Sequence, residues 1–257
     1  MKEFIQAAEK ACRLAGEIQL KGLKKDRQIH FKGSINLVTD VDHACEKAIV
    51  EVLQGAYPEH DILAEEGSGK RKHSDYKWII DPLDGTTNYA HGYPLFCTSI
   101  ALEYRGEIIV GAVYDPNLDE MFLAEKGGGA RLNGEKIQVS SIQELDRAML
   151  ATGFAYNIRE TSNNNLNHFE KFLMRTQAIR RDGVAAVDLC YVAAGRYDGF
   201  WELNLFPWDV AAGVLMIKEA GGKLSDFRGE EFDVYKKEIV ASNGLLLAPM
   251  VKVLKEN

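Results

Sequence analysis

Trp78-Ile79-Ile80-Asp81-Pro82-Leu83-Asp84-Gly85-Thr86-Thr87-Asn88 is the stretch on which the reading turns. Three apolar residues of β type end in Asp81, and Pro82, which lacks an N–H, is expected to force the chain out of the strand. Asp84 follows within one turn. Two carboxylates this close repel each other unless a cation sits between them, and hard oxygen ligands at such spacing suit Mg²⁺. The plainer alternative is a tight turn whose Asp84 caps a helix, Asp and Gly being common turn residues. Gly85-Thr86-Thr87 favours the ligand site. Gly85 lets a backbone come close to a ligand, and the amides of a helix starting here point at an anion. Thr86 adds a hydroxyl able to orient an attacking water. Metal-ligating carboxylates beside an amide nest describe a phosphate site.

Around this stretch the sequence changes character twice. Phe4, Ala8, Ala11, Ala15 and Ile18 recur at helical spacing, as do Val41, Ala44, Ala48, Val52 and Leu53 before Gly55 and Pro58, so two packed helices open the chain. The polar segment 24–36 between them has no clear period and reads as a mobile loop. Short β-type runs follow at 61–64, 78–80, 96–104, 108–114 and 120–124, a sheet built largely from hairpins. After Ser140 the pattern alternates, with strands near 149–152 and 239–241 and helices near 165–175, 184–194, 210–220 and 245–255. The expected architecture is α+β to α/β, layered helices and sheets in two closely packed halves, 1–140 and 141–257. The boundary falls around 135 to 148 and the site lies in the crevice between the halves.

Composition narrows the function classes. The 257 residues are 46% hydrophobic and 27% charged, in the range of ordinary globular proteins and enough for a large core. The net charge of -7, with no long Lys/Arg block, argues against direct nucleic-acid binding. An acidic chain can still hold a phosphate substrate if carboxylate-bound cations reverse the local charge. Cys12, Cys45, Cys97 and Cys190 are scattered without a CxxC pair and are expected as buried free thiols, which suits a reducing cytoplasm. The first twenty residues read as an amphipathic helix rather than a signal peptide, and no stretch approaches the roughly 18 apolar residues of a membrane span. A soluble, cytoplasmic protein is the expectation.

At this point a family likeness becomes specific. Residues 78–89, WIIDPLDGTTNY, resemble the metal-binding signature of the inositol monophosphatase family. Glu65-Glu66-Gly67 resembles the family's Glu-Glu segment, and Pro207-Trp208-Asp209-Val210-Ala211-Ala212-Gly213 resembles its second signature. Leu37-Val38-Thr39-Asp40-Val41-Asp42 resembles the early segment whose last Asp supports the attacking water. Each of the smaller pieces has a plain reading of its own: a solvated Glu pair, or Asp42 and Asp209 as acidic residues favourable near helix starts. Their joint order carries the likeness, which spans essentially the whole chain.

The resemblance implies an αβαβα sandwich of the sugar phosphatase type and a Mg²⁺-dependent phosphomonoesterase. It implies that Glu65, Asp81 and the Leu83 carbonyl hold one Mg²⁺, that Asp81, Asp84 and Asp209 hold a second, and that Thr86 with Asp42 aligns or deprotonates the water. Glu65 thereby counts among the catalytic residues as well. It also implies phosphate oxygens on the amides of Gly85 and Thr86, a substrate-contacting turn at Gly183, Val184 and Ala185, and a substrate hydroxyl on Glu202 and Asp209. Val184 stands where relatives often have Ser or Thr, so one hydroxyl contact is missing. Lys32 stands where relatives carry a Lys near a third metal, though a solvated loop Lys is the plainer reading; the count is two ions or three. Aromatics such as Tyr89, Phe96, Phe154 and Tyr156 are expected to serve packing.

A small phosphorylated metabolite is the implied partner, inositol 1-phosphate first. Fructose 1,6-bisphosphate, NADP(H), 3′-phosphoadenosine 5′-phosphate and histidinol phosphate remain within the same fold. Homodimer formation and Li⁺ inhibition are further implications. Two rivals stand beside this reading. An aspartyl-phosphate phosphatase also carries Asp-Gly-Thr, but its two aspartates are separated by a single residue and lie after the first strand near the N-terminus. A regulatory interaction protein with vestigial catalysis is the other.

Overall fold

The computed structural model describes residues 1–24, 29–31, 37–69 and 71–256. Helix α1 (Lys2–Gly22) buries Ala8, Ala11, Cys12 and Ala15 on one stripe, and α2 (Asp40–Ala56) buries Cys45, Ile49 and Leu53, so a small-residue face of α1 packs against a larger apolar face of α2. Between them lie β1 (Ile29–Phe31) and β2 (Leu37–Thr39), an antiparallel pair. The segment expected as a loop from 24 to 36 therefore contains a strand. Its three residues find a partner beyond the segment, which periodicity within the segment could not reveal. Lys32 lies outside the described residues.

A seven-stranded sheet follows: β3 (Asp61–Ala64), β4 (Tyr76–Asp84), β5 (Cys97–Tyr104), β6 (Glu107–Asp115), β7 (Glu120–Glu125), β8 (Gly129–Leu132) and β9 (Glu135–Lys136), in that spatial order. From β4 onward the pairs are antiparallel, as the hairpin reading expected, while β3 runs parallel to β4. The short helix α3 (Thr86–His91) springs from the end of β4.

The second sheet has the order β11 (Ala178–Arg180), β10 (Met149–Thr152), β12 (Gly199–Leu203), β14 (Glu238–Ser242) and β13 (Lys223–Ser225). Helices α5 (Ala185–Ala193) and α6 (Pro207–Glu219) are buried almost all round and fill the space between the two sheets. On the far face of the second sheet lie α4 (Leu166–Leu173) and α7 (Leu247–Leu254). The layers run helix, sheet, helix, sheet, helix.

Strand alternation builds these layers. Trp78 and Ile80 of β4 pack on α1 and α2, whereas Ile79 faces α5 and α6. In β12, Phe200 faces the interior helices and Trp201 faces α4 and α7. Gly111 of β6 allows α6 its close approach, since a Cβ there would stand 2.9 Å from the Ala212 carbonyl oxygen. All four cysteines are free and buried. Among the described residues no helix is long and apolar enough to cross a membrane.

Candidate active site

The parallel pairing of β3 and β4 does the first piece of assembly. Ala64 lies opposite Ile80, so the chain leaves both strands at the same edge with Glu65 beside Asp81, and the Glu65 N–H donates to the Ile80 carbonyl at 3.2 Å. Strand β4 does not stop at Asp81, as Pro82 led one to expect. It continues to Asp84 through a bulge, with Asp81 opposite Ser99 and Asp84 opposite Cys97. Proline is tolerated because β3 has already ended, and among the described residues no strand pairs with Pro82 on that side. The Pro82 carbonyl accepts from the buried Gln19 amide at 2.9 Å and from the Thr98 hydroxyl at 3.2 Å, which fastens the bulge to α1 and β5.

Within the bulge the Leu83 N–H donates to Asp81 Oδ1 at 3.0 Å. Thr86 Oγ1 lies 3.0 Å from Asp42 Oδ1 and 3.1 Å from the Leu83 carbonyl, so the expected threonine and aspartate do meet. Gly85 takes φ 93°, a left-handed value, and packs against Val184, Leu95 and Phe96. Its amide engages the Asp84 carboxylate. The first amides of α3, those of Thr86 and Thr87, have no acceptor in the helix's own ladder.

The second half of the chain supplies the remaining groups through α5 and α6. Ser99, opposite Asp81 in the sheet, donates to the Trp208 carbonyl at 3.3 Å and so brings the start of α6 to the end of β4. Asp209 caps that helix, its Oδ2 accepting from the Phe206 N–H at 2.7 Å. At the start of α5, the Ala186 N–H donates to Asp84 Oδ2 at 2.8 Å, and Asn88 Nδ2 donates to both Asp182 O and Leu95 O at 2.9 Å. Gly183 has φ 74° in the turn between.

Burial and mutual repulsion dominate the electrostatics. Asp81 is pushed well above the usual carboxylate range by desolvation, then by Glu65, Asp84 and Asp209. Asp84 rises to about 7, mainly through burial against the opposing pull of the Ala186 amide, and Asp209 to about 8 through burial and Asp84. Glu202, on β12, is buried and raised for the same reasons, with Asp209 and Asp84 as its acidic neighbours and Arg181 opposing. Its carboxylate occupies the space beside Gly153, where a Cβ would come within 2.2 Å of Oε1.

The donor set fits a hard divalent cation: oxygen atoms only, on carboxylates that are buried (Asp81) or half-buried (Glu65, Asp84, Asp209) and raise one another's pKa, with the planes of Asp81, Asp84 and Asp209 set by backbone amides. They are electrostatic neighbours rather than a closed cage. Among the described residues no group of three or more His, Cys, Asp or Glu side chains is gathered tightly enough to grip an ion as it stands.

Other expectations change. The Val184 side chain is fully buried, with Cγ2 against Gly85, so it packs beneath the acidic turn. Glu66 is no solvated residue: its side chain is 3% exposed and lies 3.9 Å from His43. Tyr156 is 47% exposed and its hydroxyl lies 3.4 Å from Thr87 Oγ1, so it is not a packing residue. Glu46, unremarked in the sequence, accepts from the Glu66 N–H at 2.7 Å and the Ser68 N–H at 2.9 Å and thereby holds the Glu65 turn. Its helical spacing on the buried stripe of α2, a charge amid Cys45 and Ile49, was the available signal.

Comparisons with known proteins agree with this layout. The model of the inositol monophosphatase family matches residues 1–256. The Nus factor SuhB of Pseudomonas aeruginosa is 44% identical over 250 residues, 95% of this chain and 92% of that protein. An inositol monophosphatase from Anabaena (Nostoc) sp. PCC 7120 superposes with a TM-score of 0.91 at 41% identity, covering 98% of this chain and 95% of the other. An IMPase/NADP phosphatase solved with Mg²⁺ and phosphate gives 0.84 at 25% identity, covering 95% and 92%.

Proposed function

We propose, for a chain that belongs to the inositol monophosphatase family and is a phosphoric monoester hydrolase, that the acidic turn of β4 is its hydrolytic centre and inositol 1-phosphate its leading substrate. One observation carries the reading. The parallel β3/β4 edge and the Pro82 bulge set Glu65, Asp81 and Asp84 together, and the start of α6 adds Asp209 to the same electrostatic cluster.

Glu65, Asp81, Asp84, Asp209 and the Leu83 carbonyl would hold Mg²⁺. Two ions, or three, are proposed. Bound there, the cations supply neutralisation of phosphoryl charge and acidification of water. The chain's own residues do the rest. Thr86 Oγ1 donates toward Asp42, which leaves its lone pairs able to accept a proton from the attacking water and pass one to Asp42 Oδ1. The amides opening α3 receive phosphate oxygens. Gly183 and Ala185 offer backbone to the leaving group, and Glu202 with Asp209 accepts from its hydroxyls. Because Val184 offers no hydroxyl, the alcohol side is less tightly specified, and NADP(H), fructose 1,6-bisphosphate, 3′-phosphoadenosine 5′-phosphate and histidinol phosphate belong in the panel. We further propose that 1–140 and 141–257 are the two halves of the molecule, that it works as a homodimer in the cytoplasm, and that Li⁺ inhibits it.

The test is release of inorganic phosphate from that panel with Mg²⁺. Asp84→Asn should lower kcat by about 10²-fold or more, the scale of losing one group that stabilises developing charge. Full activity in Asp84→Asn, or trapping of a labelled phosphoenzyme, would overturn the proposal. The likeness to a Nus factor supports a second reading, a regulatory protein-interaction role beside catalysis. A protein partner whose capture survives Asp84→Asn would separate the two roles.

A further inference from the structure

Outside the family's acidic set, a pair of hydroxyls stands at the same turn. Thr87 is partly exposed at the start of α3, one residue beyond the threonine that meets Asp42, and its Oγ1 faces the Tyr156 hydroxyl at 3.4 Å. Each hydroxyl has one hydrogen, and a single bond between them spends only one of the two. The other is available to an acceptor. Tyr156 is carried by the connection from β10 to α4, a different part of the chain from Thr87, so the pair bridges the second sheet to the acidic turn. Thr87 lies in the first turn of α3, whose opening amides are proposed for the phosphoryl oxygens, so the pair stands on that side of the centre. A phenol keeps its proton at neutral pH, and burial with the carboxylates of Asp84, Glu65 and Asp81 raises the Tyr156 pKa further. The leaving-group side is marked instead by Glu202, whose neighbours are Asp209, Asp84 and Arg181.

The geometry points to Tyr156, paired with Thr87, as a substrate-binding donor to a phosphoryl oxygen common to every monoester. This rests on the hydrolase reading above. A donor aimed at the phosphate serves every monoester alike and acts chiefly on binding, since it meets the phosphate before and during reaction.

Tyr156→Phe removes only the hydroxyl of a half-exposed ring, and an unchanged melting curve verifies folding. Wild type and Y156F are compared with Mg²⁺ on inositol 1-phosphate and on β-glycerophosphate, with inorganic phosphate as the product inhibitor. Y156F should raise KM for both esters and Ki for phosphate by the same factor, roughly two- to tenfold for one neutral hydrogen bond. kcat and the preference between the two alcohols should stay put. T87V should share the loss and T87S should rescue it. An unchanged Ki for phosphate, or a KM effect confined to one ester, overturns the assignment. Should wild type release phosphate from no ester, the hydrolase reading fails separately. Binding of inorganic phosphate measured by calorimetry with Mg²⁺ then still decides on Tyr156, equal affinity in Y156F and wild type refuting it.

Discussion

Gly85 has little freedom to change. Its φ of 93° is open to a non-glycine residue only at a cost of about 1–2 kcal/mol, and a Cβ would also lie 2.8 Å from Val184 Cγ2 and 3.2 Å from the Leu95 carbonyl. Gly85→Ala should therefore lower the melting temperature and move the Asp84 carboxylate, whose partners include the Gly85 amide. A wild-type melting curve together with wild-type turnover would refute this. Glu202 poses the opposite case. Its carboxyl is buried and held above the usual range, so Glu202→Gln, similar in shape and uncharged, should leave stability nearly unchanged while altering the ranking of alcohols. Equal loss on all substrates, measured across the ester panel, would place Glu202 with the phosphate instead. At this scale the sequence was informative where chemistry sits in an unusual run: Asp81, Asp84, Gly85 and Thr86 stand out within one stretch, whereas Asp209 by itself reads as a helix-start acid and enters the proposed site through the family resemblance. Val184 was read correctly as lacking a hydroxyl, but its burial against Gly85 depends on a contact between distant parts of the chain.

Between elements, the acidic turn is held by buried polar groups on the two opening helices. Gln19 of α1 reaches the Pro82 carbonyl and the Thr98 hydroxyl, both at 2.9 Å. Glu46 of α2 accepts two amides of the turn after β3, so the position of Glu65 depends on a carboxylate nineteen residues earlier. Glu46→Gln replaces one acceptor oxygen with an NH₂ group facing an N–H. A charge-assisted bond of this kind contributes about 1.5–3 kcal/mol, and the variant should lose about that much in denaturant unfolding. The Mg²⁺ concentration giving half-maximal activity should rise with it, because the turn carrying Glu65 loses its anchor. Loss of stability with unchanged Mg²⁺ dependence would show that Glu46 serves the fold alone. Neither anchor was legible from the sequence. Helical periodicity marked both stripes, but a polar residue on an apolar stripe has no local sign of which distant amide or carbonyl it meets. The parallel β3/β4 pairing escaped for a similar reason: two short runs separated by a Gly-containing, basic loop read as neighbours, and direction is decided by where the loop carries the chain.

Over the whole molecule, the layered order was recoverable because period-two and period-3.6 patterns alternate along the chain, while the interior position of α5 and α6 follows from their near-continuous burial. That interior position makes the site's charge a property of the entire fold. Asp84 at about 7 and Asp209 at about 8 stand above the ordinary carboxylate value of 3.8, chiefly through burial between the layers. Glu202 and Asp188 are shifted in the same direction. A folded pKa above the unfolded one means that the native state binds more protons between the two values. The stability these groups support is thus complete below about pH 4 and declines as pH rises through 7 and 8. In chelator the melting temperature should fall across that window. Millimolar Mg²⁺ should restore it most at the alkaline end, where the carboxylates are ionised and no proton competes for their oxygens. Thermal melts from pH 5 to 8.5, with chelator and with Mg²⁺, measure both curves. Parallel curves, with the same Mg²⁺ increment at every pH, would mean that the cation does not bind at these carboxylates.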